Sequence, residues 1–231
     1  ARLRELFAGH IGKTTPEVVL HDAVDLPRFE PELTREQARR KLGLAPLGPV
    51  VLHAGSLYQG RGAEELVSLL PELPPFSELW FVGGRPEDIA RVQRAVLPAF
   101  RERVRFFGHK SVRELPAYLF AADALVLAST SRGTASDGTN HVDYSSPMKL
   151  FEYFAAARPI VTTALGGVRE VAKDGENALL VGLDDREALA HGLRRALTDS
   201  ALAAHLARGA RRTAEQHTWL ARAQAIVRRL G

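Results

Sequence analysis

The chain has 231 residues, of which 45% are hydrophobic, so it can bury a full core in one large domain or in one domain plus fragments. No apolar run is long enough to span a membrane, no signal-peptide pattern opens the chain, and the lack of cysteine excludes disulfides and thiolate metal sites. The formal net charge is +4, yet the arginines sit in helix-like stretches such as 35–41 and 208–212, mixed with Glu and Ala and without interleaved aromatics; this reads as solvated helix faces, not a nucleic-acid patch.

Absent cysteine fits a reducing cytosol, and few Asn with abundant Arg, Ala and Leu fit a thermophilic source. The first residue is Ala, and residues 1–7 read as the tail of an amphipathic helix with no partner upstream, so the chain is expected to be a fragment. A strand-like stretch at 17–20 and a turn-like stretch at 21–25 follow, set apart from the pattern beyond. Thr34 with Gln37 forms a capping-box pattern and Gly43 stands where a helix beginning there would end. Apolar runs then recur at 50–54, 79–82, 104–107, 124–128, 159–163 and 178–181, nearly continuous in apolar character, as strands buried on both faces should be. Helical patterns separate them, one opened by a second capping box at Ser111 and Glu114, and the stretch from 184 to 231 reads as three helices. This alternation predicts an α/β fold, a Rossmann-like doubly wound parallel sheet of about six strands with helices on both faces.

In such sheets ligands bind beyond the carboxyl ends of the strands, where this chain places loops rich in Gly and polar residues. The most telling segment is 145–161. Ser146 suits an N-cap and Pro147 the first helical position, followed by Met148, Lys149 and Leu150. The free first-turn amides, the positive end of the helix dipole and Lys149 offer a seat for a phosphate. Glu152, farther along, can accept two hydroxyl hydrogen bonds from a ribose. Gly83-Gly84 and Gly166-Gly167 permit positive φ and close backbone approach. His53 reads as a satisfied, half-buried core residue and His109 as a surface histidine.

Together these segments resemble the C-terminal, donor-binding domain of GT-B-fold retaining glycosyltransferases of family four, from about residue 18 to 227. His21-Asp22-Ala23-Val24-Asp25-Leu26-Pro27-Arg28-Phe29 is similar to the interdomain linker, and Gly55-Ser56-Leu57-Tyr58-Gln59-Gly60-Arg61-Gly62 to the loop that usually reads G-R-x-x-x-x-K-G. Ser146 to Tyr153 is similar to the second half of the Glu-x7-Glu signature. Gly166-Gly167-Val168-Arg169-Glu170 with Asp174-Gly175-Glu176-Asn177 resembles the closing β-α pattern, and Thr218-Trp219 the final helix. Each motif alone is weak; their order along the chain carries the resemblance.

The resemblance implies one half of a two-domain enzyme. Residues 1–24 would be a remnant of the acceptor domain and linker, 25–217 the nucleotide-sugar-binding domain, and 218–231 the helix that crosses back. It implies a nucleotide-sugar donor, no metal or resident cofactor, a cytoplasmic hexosyltransferase, and an acceptor held by the missing half, through which peripheral membrane contact is open. Arg61 stands in place of the family's lysine and would bind the diphosphate with Lys149 and Glu152 as the other catalytic candidates. Ser56 replaces an expected arginine. Gly55, Ser56, Gly108, Lys110, Asp143, Ser146, Pro147, Met148 and Leu150 are the implied donor-binding residues. The sequence departs from the signature at Tyr144, eight positions before Glu152, where an acid is usual; Asp143 and Asp137 stand nearby as alternatives. A sugar-nucleotide epimerase of the same architecture and a non-catalytic nucleotide-sugar-binding module are the competing readings.

Overall fold

A computed structural model describes residues 19–131 and 148–230. Its frame is six strands, β1 (Val50–Ala54), β2 (Glu78–Val82), β3 (Val104–Phe106), β4 (Ala124–Leu127), β5 (Ile160–Thr163) and β6 (Leu179–Val181). They pair in the order β3-β2-β1-β4-β5-β6, every pair parallel. Residues of β1, β2, β4 and β5 are buried throughout, because helices cover both faces of a parallel sheet. That is why these strands read as unbroken apolar runs.

One face carries α1 (Arg35–Leu42), α4 (Leu115–Ala121), α5 (Met148–Ala155) and α8 (Ser200–Gln216), packed around Phe120, Phe151 and Phe154. The other carries α2 (Ala63–Ser68), α3 (Pro86–Ala95) and α7 (Arg186–Thr198), around Leu66, Leu70 and Leu193. A short helical turn, α6 (Gly166–Arg169), follows β5, and α9 (Trp219–Leu230) ends the described chain. The three helices expected beyond residue 184 are α7, α8 and α9. Asp185 and Asp199 cap the first two of them by accepting from Ala188 N and Leu202 N.

Thr34 and Gln37 complete the capping box, with bonds of 3.2 and 2.9 Å, and Gly43 closes α1 at φ 65°. Ser111 and Glu114 exchange the expected pair of bonds at 3.0 and 3.3 Å, one turn ahead of α4 proper. Two expectations change. Val19 and Leu20 lie in irregular backbone, not a strand, and Val24 makes an isolated parallel bridge to Thr218, which fastens this stretch to the start of α9. Also, β2 begins at Glu78, one residue before the apolar run at 79–82, from which its charge kept it out. Its buried carboxylate accepts from Leu47 N and Trp80 Nε1, both at 2.9 Å, and pairs with Arg105 at 2.8 Å.

Strand order turns at β1: β2 and β3 lie to one side of it, β4, β5 and β6 to the other. Loops leaving β1 and β4 therefore run in opposite directions and open a crevice at their carboxyl ends. The β1–β4 ladder holds at Val51–Ala124 and Leu52–Leu125. Beyond it, the Tyr153 hydroxyl reaches into the split, accepting from Ala54 N at 2.7 Å and lying 3.4 Å from the carbonyl oxygens of Ala54 and Val126. A side chain of α5 thus ties that helix to the mouth of the crevice.

Candidate functional site

At the crevice lies a cavity of about 960 Å³, within the size range of sites that take a large organic ligand. The loop after β1 supplies Gly55, Ser56, Tyr58, Gln59 and Arg61; the loops after β2 and β3 supply Gly83, Gly84, Arg85, His109 and Lys110; α5 supplies Met148 and Lys149. Backbones crowd at its floor. A Cβ on Gly83, whose φ is 115°, would stand 2.3 Å from the Gly55 carbonyl oxygen, so the two loops can meet only with glycine there. Gly84, at φ 82°, would set a Cβ 2.7 Å from the end of the Leu57 side chain. Gly166 and Gly167, expected to act likewise, instead open the helical turn α6 and are absent from the positive-φ glycines.

Six sequence candidates meet on this cavity: Gly55, Ser56, Arg61, Lys110, Met148 and Lys149. Arg61 is aligned by a residue that the sequence reading passed over. Its guanidinium lies 4.7 Å from the Tyr58 ring centroid and donates to the Tyr58 hydroxyl. Tyr58 stands three positions before Arg61 in a glycine-flanked turn, and that aromatic was the available signal. Lys110 lies with Nζ 5.5 Å from the Tyr118 ring centroid. Lys149, in the first turn of α5, pairs with Glu152 at 2.8 Å.

Three candidates are placed otherwise. Leu150 is wholly buried in the core, so its side chain cannot touch a ligand and only its first-turn amide remains to offer one. Gly108 turns the chain at φ 63° and accepts from Gly83 N at 2.7 Å, but does not line the cavity. Glu152 sits one turn behind the wall, held by Lys149, and also does not line it. Asp137, Asp143, Tyr144, Ser146 and Pro147 lie outside the described residues.

His53 overturns its expectation. It is 2% exposed, not half-buried, and neither ring nitrogen makes a hydrogen bond among the described residues. Burial pushes its pKa down to about 4; the carbonyls of Ser56 and Val126 face the ring and pull it partly back without reaching bonding geometry, while Arg61 and Lys149 lower it further. It lines the cavity, as does His109. Among the described residues no group of three or more His, Cys, Asp or Glu is placed to hold a metal ion, and no helix is long and apolar enough to cross a membrane.

A family model described as glycosyl transferases group 1 matches residues 48–199. The chain belongs to that family. It is 30% identical over 218 residues to the D-inositol 3-phosphate glycosyltransferase of Xylanimonas cellulosilytica, covering 90% of this chain and 49% of that protein. The chain thus spans about half the length of such curated relatives. Among solved structures, sucrose-phosphate synthase of Thermosynechococcus elongatus superposes with a TM-score of 0.76 at 25% identity, over 100% of this chain and 57% of that one. Anabaena HepE in complex with UDP-glucose gives a TM-score of 0.78 at 20% identity, over 98% of this chain and 60% of that one, a likeness of fold. The six-stranded sheet is accordingly the half-domain architecture of GT-B glycosyltransferases in this family.

Proposed function

We propose that this chain is the donor-binding half of a retaining glycosyltransferase that takes a sugar from a nucleoside diphosphate and passes it to an acceptor held by the rest of the protein. The observation that carries the reading is the convergence of Arg61, Lys149 and the first turn of α5 on one cavity at the switch between β1 and β4. When the glycosidic bond to the diphosphate breaks, negative charge grows on the leaving oxygens. Cations and amide dipoles already in place stabilise that charge without rearrangement of water. Arg61, stacked on Tyr58, presents a planar donor fork suited to phosphate oxygens. Lys149 has a choice of partners. Once a diphosphate competes for its ammonium, Glu152 is released to accept from the ribose hydroxyls one turn deeper.

On this reading the sugar is a hexose, no metal or resident cofactor takes part, and the reaction runs in the cytoplasm. The acceptor site lies in sequence that the relatives carry beyond the matched span, about half of their length. HepE, whose fold this chain shares, is described with UDP-glucose, which makes uridine nucleotides the first probes to try. Calorimetric titration of UDP, GDP and ADP into the chain tests the proposal. One of them should bind, and Arg61→Ala should weaken it by about tenfold or more, the worth of a charge-assisted hydrogen bond. Arg35→Ala, at the far end of the sheet beside Asp123, should leave affinity unchanged. Equal losses from the two substitutions, or no binding by any of the three, would overturn it.

A further inference from the structure

His53 is the one residue on the cavity floor that combines near-complete burial with two ring nitrogens that have no hydrogen-bond partner among the described residues. A buried polar group in that state costs stability, and it persists in native proteins where something else completes it. What completes it can be read from its surroundings. Carbonyl oxygens of Ser56 and Val126 face the ring, and carbonyls only accept. A neutral imidazole has a single N–H, so it can satisfy one carbonyl and then presents a bare acceptor nitrogen elsewhere. An imidazolium has two N–H groups, one for a carbonyl and one for an incoming acceptor.

The remaining neighbours select the chemistry of that acceptor. Phe81 on β2 packs against the ring with centroids 6.1 Å apart and brings no charge. From the loop after β1 and from α5 come two cations, Arg61 and Lys149, which oppose a proton on His53. Glu152 offsets Lys149 by direct pairing, Tyr153 on α5 is neutral and bonded to Ala54, and the cavity is also lined by Arg85, Glu87, Asp88, His109 and Lys110. Without a ligand the balance holds the imidazole neutral. An anion seated between Arg61 and Lys149 cancels the opposing cations and offers oxygens that only accept.

We infer that His53 is a further ligand-binding residue, which takes up a proton from solvent when a diphosphate docks and then donates from one ring nitrogen to a phosphate oxygen and from the other to a backbone carbonyl. The inference rests on the diphosphate reading of the cavity. It gives the site a third cation that exists only in the complex, where Ser56 supplies none, and it makes affinity rise as pH falls.

The test is titration of the nucleotide among UDP, GDP and ADP that binds, UDP being tried first, into the chain in buffers of different ionisation enthalpy, which counts protons exchanged on binding. Comparing wild type with His53→Gln cancels the ligand's own phosphate titration, and His109→Gln controls for the other histidine on the wall. Wild type should take up roughly half a proton more than His53→Gln at about pH 6, with the difference vanishing near pH 8. His109→Gln should match wild type. If the glutamine variant does not fold, nitrogen NMR of the wild-type imidazole reads the same event: saturation with that nucleotide at about pH 6 should convert His53 from one N–H to two. Equal proton uptake in wild type and His53→Gln, or an imidazole that stays neutral in the complex, overturns this inference alone. Failure of UDP, GDP and ADP to bind at any pH overturns it together with the proposed function.

Discussion

At the amino end of the sheet, Glu78 is 2% exposed and both its carboxylate oxygens are engaged, by Leu47 N, Trp80 Nε1 and Arg105; at the carboxyl end, His53 is as deeply buried and its ring has no hydrogen bond among the described residues. Asp123 repeats the first pattern, accepting from Val50 N at 2.7 Å and Arg39 at 2.6 Å and pairing with Arg35. Arg61 and Lys149, which line the same cavity, stand between the two patterns: each side chain has one polar partner among the described residues, the Tyr58 hydroxyl and the Glu152 carboxylate, and further donors beyond it. One end spends its polar side chains on closing the fold. The other keeps hydrogen-bonding capacity in reserve, and the proposed function assigns that reserve to a ligand.

The contrast is broken most directly at Glu78. Glu78→Ala leaves Arg105, the Trp80 indole N–H and Leu47 N without their acceptor, which should cost about 3–5 kcal/mol in urea denaturation. UDP affinity of the folded fraction should not change, because the residue stands at the opposite end of its strand from the cavity. A loss of affinity in the folded fraction would mean that the two ends are not independent.

His53 supplies the next largest effect, and its sign follows from linkage. The unfolded chain protonates this histidine near 6.5, the folded chain only near 4, so between those values the unfolded state binds the extra proton. Stability tied to His53 is therefore whole above about pH 6.5 and is lost as pH falls toward 4, by roughly 3 kcal/mol for a shift of that size. His53→Leu, which has no proton to gain, should flatten the decline by that amount when denaturation is followed across the interval. Parallel curves for the two proteins would mean that the ring protonates in the folded state as readily as in water.

Tyr153→Phe comes third. It removes the acceptor of Ala54 N at the point where β1 and β4 part, and a buried amide left without a partner costs about 1–3 kcal/mol. Because that hydroxyl also anchors α5 beside Lys149, the variant should bind UDP more weakly as well as unfold more readily. A loss of stability with unchanged affinity would confine Tyr153 to the frame.

How much of this was legible in the sequence follows from the same contrast. The strands read correctly because burial on both faces makes them apolar throughout, and α1 read to the residue at both ends because Thr34, Gln37 and Gly43 cap it by local rules. Glu78 hid because a lone acid opening an apolar run looks like a loop residue until Trp80 and Arg105 are seen around it. Arg61 and Lys149 were found from motif position, yet Tyr58, which stacks on Arg61, was not. His53 was named and misjudged: a histidine in an apolar strand has the same local pattern whether the fold satisfies it or leaves it bare. For Leu150 the sequence did not show that the side chain is buried and only the amide is left for a ligand, since motif position says nothing of which face of the helix turns to the core.

The smallest stability effect, and the sharpest comparison of the two ends, is at Glu152. It pairs with Lys149 at 2.8 Å, but Lys149 is 38% exposed, so the pair is worth less than about 1 kcal/mol. Glu152→Gln should therefore unfold almost as wild type does. Binding should respond differently. If Glu152 grips a ribose once Lys149 turns to the diphosphate, the amide halves its acceptor capacity and UDP affinity should fall severalfold, while affinity for inorganic pyrophosphate, which has no ribose, should hold or rise as Lys149 is freed. A carboxylate serving only to pair with Lys149 would move both ligands alike, and that outcome would return Glu152 to the class of Glu78, a residue whose partners are all within the fold.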